Sequence, residues 1–248
     1  MSEASLVFGV HAVRSILMRS PQRVRRLIVD TRREDPRMRE LLQLAQQGAV
    51  KTERVDAKSI DARVGNVVHQ GVLADVDPLP PWHEDELVAA LSGAKDPVVL
   101  VLDGIQDPHN LGACLRTADA CGAIAVVVPK DRAASLNPTV RKVAAGAADT
   151  TPIATVTNLA RSLKLLKDAG LWIVGADMAG EKLAWEADLR GPLALVLGSE
   201  GDGLRDLTRK TCDFLVRLPQ AGTVESLNVS VACGMLLHET MRQRATPV

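Results

Sequence analysis

A set of short, unbroken apolar runs along the C-terminal two-thirds most constrains what this chain can fold into. Residues Val98–Leu102 read Val-Val-Leu-Val-Leu, and similar runs recur at Ile124–Val128, Leu171–Val174, Leu193–Leu197 and, less purely, Phe214–Leu218. A strand with one wet face alternates apolar and polar residues. A continuous run suits a strand buried on both faces, as in a parallel sheet. Helical patterns lie between the runs, at Leu111–Cys121, Thr139–Ala148, Asn158–Ala169, Leu204–Thr211 and Leu227–Arg242. That alternation predicts an α/β domain with a mostly parallel sheet layered by helices.

The first part of the chain is patterned differently. His11–Arg19 reads as a helix, Arg26–Asp30 as a strand, Pro36–Gln47 as a helix with proline in its first turn, and Val67–Val76 as extended. Asp77-Pro78-Leu79-Pro80-Pro81-Trp82 then interrupts, because proline lacks a donor and restricts its predecessor. The expected organisation is a small N-terminal domain over 1–76, a linker over 77–96 with a short helix at Asp85–Leu91, and a larger domain over 97–248.

Several function classes are excluded or weakened. No apolar stretch approaches the roughly 20 residues of a membrane span, and the N-terminus lacks a basic segment followed by an apolar run. Four dispersed cysteines (Cys114, Cys121, Cys212, Cys233) read as small buried side chains in a reducing compartment, so a cytoplasmic location is expected. The histidines His11, His69, His83, His109 and His238 lack metal-ligand spacing, and no metal site is expected. There is neither a phosphate-binding P-loop nor a G-x-S-x-G elbow. With 2% aromatic residues and no tyrosine, base stacking cannot dominate any grip on nucleic acid. The net charge is zero, yet nine arginines lie between Arg14 and Arg39 against three acids. That cluster, with Arg23, Arg25 and Arg26 at its centre, reads either as an RNA-binding footprint for phosphates or as a solvated surface of local ion pairs.

Ligands in open α/β sheets gather at the carboxyl ends of strands, and the composition of three predicted strand ends is unusual. They are Asp103–Gly112, leading into a helix that carries Arg116; Gly198–Gly203; and Pro219–Asn228. Each has an ordinary explanation: Asn110, Ser226 or Asn228 as a helix cap, the glycines as tight turns. The glycines of Gly198-Ser199-Glu200-Gly201-Asp202-Gly203 fall as G-x-x-G-x-G, a poor dinucleotide fingerprint. Together in one domain, the three ends favour a ligand site.

These segments, Asp107-Pro108-His109-Asn110-Leu111-Gly112-Ala113-Cys114-Leu115-Arg116, Leu197–Gly203 and Leu218–Ser230, resemble in order and spacing the three motifs of the SpoU/TrmH family of RNA 2′-O-methyltransferases, within the SPOUT superfamily. Phe8–Val13 and Val68–Val72 resemble the ends of that family's small substrate-binding domain. The resemblance implies a C-terminal domain with a deep trefoil knot, an N-terminal L30e-like α/β domain, S-adenosylmethionine as cofactor, and a homodimer. It implies methyl transfer to the ribose 2′-hydroxyl of a guanosine in 23S rRNA, with tRNA or another rRNA site as the alternative. It places the cofactor against Gly198, Glu200, Gly201, Leu218, Pro219, Ser226, Leu227 and Asn228, and the chemistry at Arg116, Asn110, Glu200, Ser226 and Asn228. An arginine stays protonated in nearly any setting, so Arg116 is expected to clamp a phosphate and stabilise the developing alkoxide. Asn110 and Asn228 would orient Arg116 and the ribose, while the phosphate, Glu200 or water takes the proton. From other classes, the rivals are a non-catalytic RNA-binding ribosome assembly factor and a nicotinamide or flavin oxidoreductase.

Overall fold

The computed structural model describes residues 5–65, 67–224 and 226–245. They divide into two units, one running to Pro80 and taking in Ala145–Thr150, the other formed by the rest from Pro81 onward.

In the first unit the order is β1 (Ser5–Phe8), α1 (Val10–Arg19), β2 (Val24–Asp30), α2 (Pro36–Gln47), β3 (Thr52–Val55), α3 (Ala57–Val64) and β4 (Val72–Val76). The sheet order is β1-β4-β2-β3, with β4 antiparallel to both neighbours and β3 parallel to β2. One face packs Leu27 and Val29 against Val13, Ile16, Met38 and Leu41 of α1 and α2; the other packs Ile28 and Leu73 against Ile60 of α3. Helix α2 begins at Pro36 because Asp35 caps it, accepting from the Arg37 and Met38 amides. The extended reading from Val67 is too long. Gln70 and Gly71 adopt φ of 53° and 69°, a left-handed turn, and the strand starts only at Val72.

The second unit contains α4 (Glu84–Leu91), β5 (Val98–Asp103), α5 (Pro108–Ala120), β6 (Ala125–Pro129), α6 (Pro138–Ala144), β7 (Ile153–Val156), α7 (Leu159–Asp168), β8 (Trp172–Ala176), β9 (Lys182–Leu183), β10 (Leu193–Gly198), α8 (Asp206–Thr211), β11 (Phe214–Arg217) and α9 (Val229–Ala245). Seven strands form one sheet in the order β7-β6-β5-β10-β8-β11-β9, and every pairing is parallel. Each of the five apolar runs overlaps one of its strands, with Ile124, Leu171 and Leu218 just outside β6, β8 and β11. Every residue of β5 is buried, as a strand covered on both faces requires. Trp82 pairs with the edge strand β7, donating to the Ile153 carbonyl at 2.9 Å, and Leu87 and Leu91 of α4 enter this unit's core.

Helix boundaries differ from the pattern where caps decide them. Asp107 caps α5 by accepting from the His109 amide, so the helix starts at Pro108 and Asn110 is not its cap. Helix α6 stops at Ala144 because Ala145 and Gly146 take φ of 51° and 97°. Helix α9 starts at Val229, with the Asn228 side chain accepting from the Ser230 amide at 2.9 Å.

Candidate active site

Strands β5 and β6 progress toward one sheet edge, whereas β8 lies on the other side of β5, and late β10 fills the gap between β5 and β8. The strand order reverses there, the place where α/β sheets open a crevice at their carboxyl ends. The loops leaving β5, β10 and β11 are the three segments singled out by composition.

The β10 loop is a closed turn. Ser199 and Gly203 exchange backbone hydrogen bonds of 3.2 and 3.0 Å, and Gly201 and Gly203 hold φ of 88° and 67°. Gly198 has no room for a side chain, since a Cβ there would lie 2.0 Å from the Gly203 carbonyl carbon. The turn projects Glu200. Its Oε1 accepts from the Val229 amide at 3.2 Å, in the first turn of α9, and from the Asn228 side-chain amide. The same Asn228 Nδ2 donates to Asn110 Oδ1 at 2.9 Å, while Asn228 Oδ1 accepts from the Ser230 amide and hydroxyl. Asn110, Glu200 and Asn228 thus tie the three loops together.

Beneath them, Asp103 at the end of β5 is fully buried and accepts from the Arg205 amide at 3.1 Å and Nε at 2.5 Å. A carboxylate without a partner at that depth would be costly. The Arg205 guanidinium supplies its counter-charge and fixes the far end of the β10 loop.

Two adjoining cavities open beside this junction. The first, of about 290 Å³, has an apolar wall of Leu197, Val216, Leu218, Leu227 and Ala232 and a rim that includes the carboxylates of Glu200 and Asp202 beside the Asp177–Arg209 ion pair. An apolar slot with an acidic rim suits a ligand that joins a flat ring system to a positive charge. Gly198, Gly201 and Ser226 also line it, whereas Pro219 and Asn228 do not. The second, of about 270 Å³, is lined by Gly104–Asp107 and Asn110, and shares Ser199, Glu200, Asp202 and Val229 with the first.

Arg116 is not part of this junction. It is exposed on α5, lines neither cavity, and has no hydrogen-bond or ion-pair partner among the described residues. Six residues separate it from Asn110, which turns it about 120° around the helix axis. Neither Asn110 nor Asn228 is hydrogen-bonded to it: the Asn228 side chain engages Asn110, Glu200 and Ser230, and Asn110 Oδ1 accepts from Asn228.

Arg23, Arg25 and Arg26 lie in the first unit, each engaged there. Arg23 donates to the carbonyls of Asp77 and Asp149, Arg25 pairs with Asp77, and Arg26 is bracketed by Asp75 and Glu53. The second unit's cysteines Cys114 and Cys233 are buried and share a hydrogen bond that, with burial, holds the Cys233 thiol far above its usual range. Burial pushes the Cys212 thiol up to about 12. Among the described residues no cluster of histidine, cysteine and carboxylate could hold a metal ion, and no helix is long and apolar enough to cross a membrane.

Composition missed Asp177, Met178 and Arg209 in the first cavity, where Arg209 pairs with Asp177 at 2.7 Å. Asp177 had a partial signal, since it lies three residues beyond the apolar run that ends at Val174. Arg209 had none, being one cation on a short helix.

A reversed parallel sheet whose three carboxyl-end loops build such a crevice defines the class here. Residues 97–238 match the SpoU rRNA Methylase family, and residues 6–82 match the family described as RNA 2′-O ribose methyltransferase substrate binding. The chain belongs to the SpoU rRNA methylase family. It is 51% identical over 245 residues to the 23S rRNA (guanosine-2′-O-)-methyltransferase RlmB of Pseudomonas putida, covering 98% of each chain. To the protein of the same name from Coxiella burnetii it is 47% identical over 248 residues, covering 100% of this chain and 99% of that one. The crystal structure of the SpoU methyltransferase AviRb from Streptomyces viridochromogenes in complex with the cofactor AdoMet matches with a TM-score of 0.73 at 26% identity, over 98% of this chain and 91% of that one.

Proposed function

We propose that this protein transfers a methyl group from S-adenosylmethionine to the ribose 2′-hydroxyl of a guanosine in 23S rRNA, as a cytoplasmic homodimer. The observation that carries this reading is the pair of adjoining cavities that share Glu200 at the junction of three loops. One cavity takes the donor and the other the acceptor nucleotide. The first fits S-adenosylmethionine by its chemistry: an apolar wall for adenine, glycine backbone at the β10 turn, and carboxylates beside a cationic ligand. At about 290 Å³ it is near the lower end of the roughly 300–1,000 Å³ of small-molecule sites. The knotted threading of the C-terminal chain is part of the same proposal, supported by the placement of late β10 between β5 and β8.

Bound S-adenosylmethionine supplies an electrophilic methyl group on a sulfonium. The chain's residues must place the 2′-oxygen in line with it and take up the hydroxyl proton. Held attack geometry is worth about 7–11 kcal/mol of barrier in favourable cases. The Asn110–Asn228–Glu200 linkage supplies it by fixing the three loops against one another. Glu200 Oε1 is committed to Asn228 and the Val229 amide, so Oε2 remains to meet the hydroxyl. Ser226, on the wall of the first cavity, adds a hydroxyl beside the donor. Arg116, permanently cationic, clamps the neighbouring phosphate and stabilises the alkoxide. Because it lines neither cavity of its own chain, Arg116 of one subunit serves its partner's site.

The test is incubation with methyl-labelled S-adenosylmethionine and separate rRNA and tRNA pools, followed by mapping of the 2′-O-methyl position. Label at one 23S guanosine is the expected result. Label in tRNA alone would move the substrate within the family, and tight rRNA binding without transfer would leave an assembly factor.

A further inference from the structure

The second cavity carries more carboxylate than a site for a polyanion should. Asp107, Glu200 and Asp202 all line it. A carboxylate turned toward RNA phosphate is repelled, so each must meet a hydrogen-bond donor instead. Three of the polar side chains there already hold an internal hydrogen bond. Asp107 Oδ1 accepts from the His109 amide at 2.9 Å, Glu200 Oε1 from Asn228 and the Val229 amide, and Asn110 Oδ1 from Asn228 at 2.9 Å. Asp202 and Gln106 remain: both are exposed, and neither has a hydrogen-bond partner among the described residues. Of the carboxylates and carboxamides lining the cavity, Asp202 and Gln106 are thus the two whose side chains have every polar atom open to a ligand.

Those two groups match one base. Guanine presents N1–H and the 2-amino group side by side as donors, next to the O6 acceptor. A carboxylate accepts the two donors together, and a carboxamide N–H donates to O6. Adenine would set its N1 lone pair against the carboxylate. Proteins that act on unpaired nucleotides read this edge by such hydrogen bonds. Glu200 and Asp202 are common to both cavities, where donor and acceptor nucleotide meet, whereas Gln106 lines only the second. We propose that Asp202, assisted by Gln106, reads the guanine base of the nucleotide to be methylated. The proposal rests on the methyltransferase reading above and adds the residues that choose the base.

The experiment uses the full-length protein and transcripts of the mapped rRNA segment. These carry guanosine, inosine (which lacks the 2-amino group) or adenosine at the single target position. The kcat/KM of wild type, Asp202→Asn and Gln106→Ala is measured on each, with the S-adenosylmethionine Kd by calorimetry. Wild type should lose roughly 10-fold on inosine and more than about 100-fold on adenosine, in line with sites whose polar groups are left unpaired. Asp202→Asn should lose activity on guanosine and treat guanosine and inosine within about threefold. Gln106→Ala should narrow the guanosine-to-adenosine ratio while the guanosine-to-inosine ratio holds. An Asp202→Asn enzyme that keeps the wild-type guanosine-to-inosine ratio overturns the assignment. If its cofactor Kd rises at the same time, Asp202 belongs to the donor's ammonium instead. Wild type that methylates all three transcripts alike also overturns it, whereas wild type that methylates no guanosine defeats the enzymatic reading itself.

Discussion

Arg116 is where chemistry and packing separate most cleanly. Its side chain is exposed and without a hydrogen-bond or ion-pair partner among the described residues, so truncation removes no internal polar tie. Arg116→Ala should change unfolding free energy by less than about 0.5 kcal/mol and leave the S-adenosylmethionine Kd unaltered. Turnover should fall by about 100- to 1,000-fold, the scale of losing one charge-stabilising donor. Mixing Arg116→Ala with Asn228→Ala subunits should restore part of the activity, because a mixed dimer holds one site with both groups intact. No recovery on mixing would place Arg116 in its own subunit's site. Motif resemblance drew attention to Asn110, Glu200 and Asn228, and the structure does bring these three together. The Asp103–Arg205 clamp beneath them was not legible, since nothing in spacing predicts that residues 102 positions apart will meet.

At the scale of elements, the strands buried on both faces were readable because short, continuous apolar runs bounded by polar loops suit few other elements. Short strands were not. β3, Thr-Glu-Arg-Val, sits at a sheet edge with every residue at least partly exposed, and β9 has two residues. Neither has enough apolar surface to stand out from a loop. Ties between helices were equally hidden. Glu84 at the start of α4 accepts from the Ser162 hydroxyl at 2.5 Å and pairs with Arg161, both on α7. Burial pushes the Glu84 carboxyl up, but the Ser162 hydroxyl and the Arg161 guanidinium outweigh it and leave the group below its usual range. Glu84→Ala should cost about 1 kcal/mol, read as a lower urea midpoint with an unchanged slope. Since Glu84, Arg161 and Ser162 line neither cavity, kcat should stay at the wild-type value; a fall in kcat without loss of stability would refute a purely structural tie.

The whole molecule carries no net charge, yet it must hold a polyanion. Its acid response follows from where the carboxylates sit. The Arg32 amide lowers Asp30, the Arg33 guanidinium lowers Asp35, and the Ser59 hydroxyl and amide lower Asp56 in the first unit. Guanidinium partners lower Asp188 and Glu239 in the second. A depressed folded pKa stabilises the fold above the unfolded carboxylate range, and the stabilisation is lost as pH falls through the folded value. Stability should therefore hold level from neutrality to about pH 5 and decline below about pH 4, as thermal melts across that range would record. A midpoint that rises on acidification would contradict these shifts.

The same pairing decides what the arginine cluster contributes to RNA. A guanidinium bracketed by Asp75 and Glu53, as Arg26 is, presents little net positive field, and Arg23 spends its donors on two carbonyls. If all three central arginines gripped phosphates, replacing Arg23, Arg25 and Arg26 with glutamine would reduce the slope of log K against log salt by about two to three units. Internal partners predict otherwise. The triple variant should melt at a lower temperature, while the salt slope drops by no more than about one unit, the share of the more exposed Arg25. A slope reduced by the full amount with an unchanged melt would return the cluster to the RNA-binding surface. The expected result moves the electrostatic grip on RNA to cations that lack internal partners, Arg116 among them.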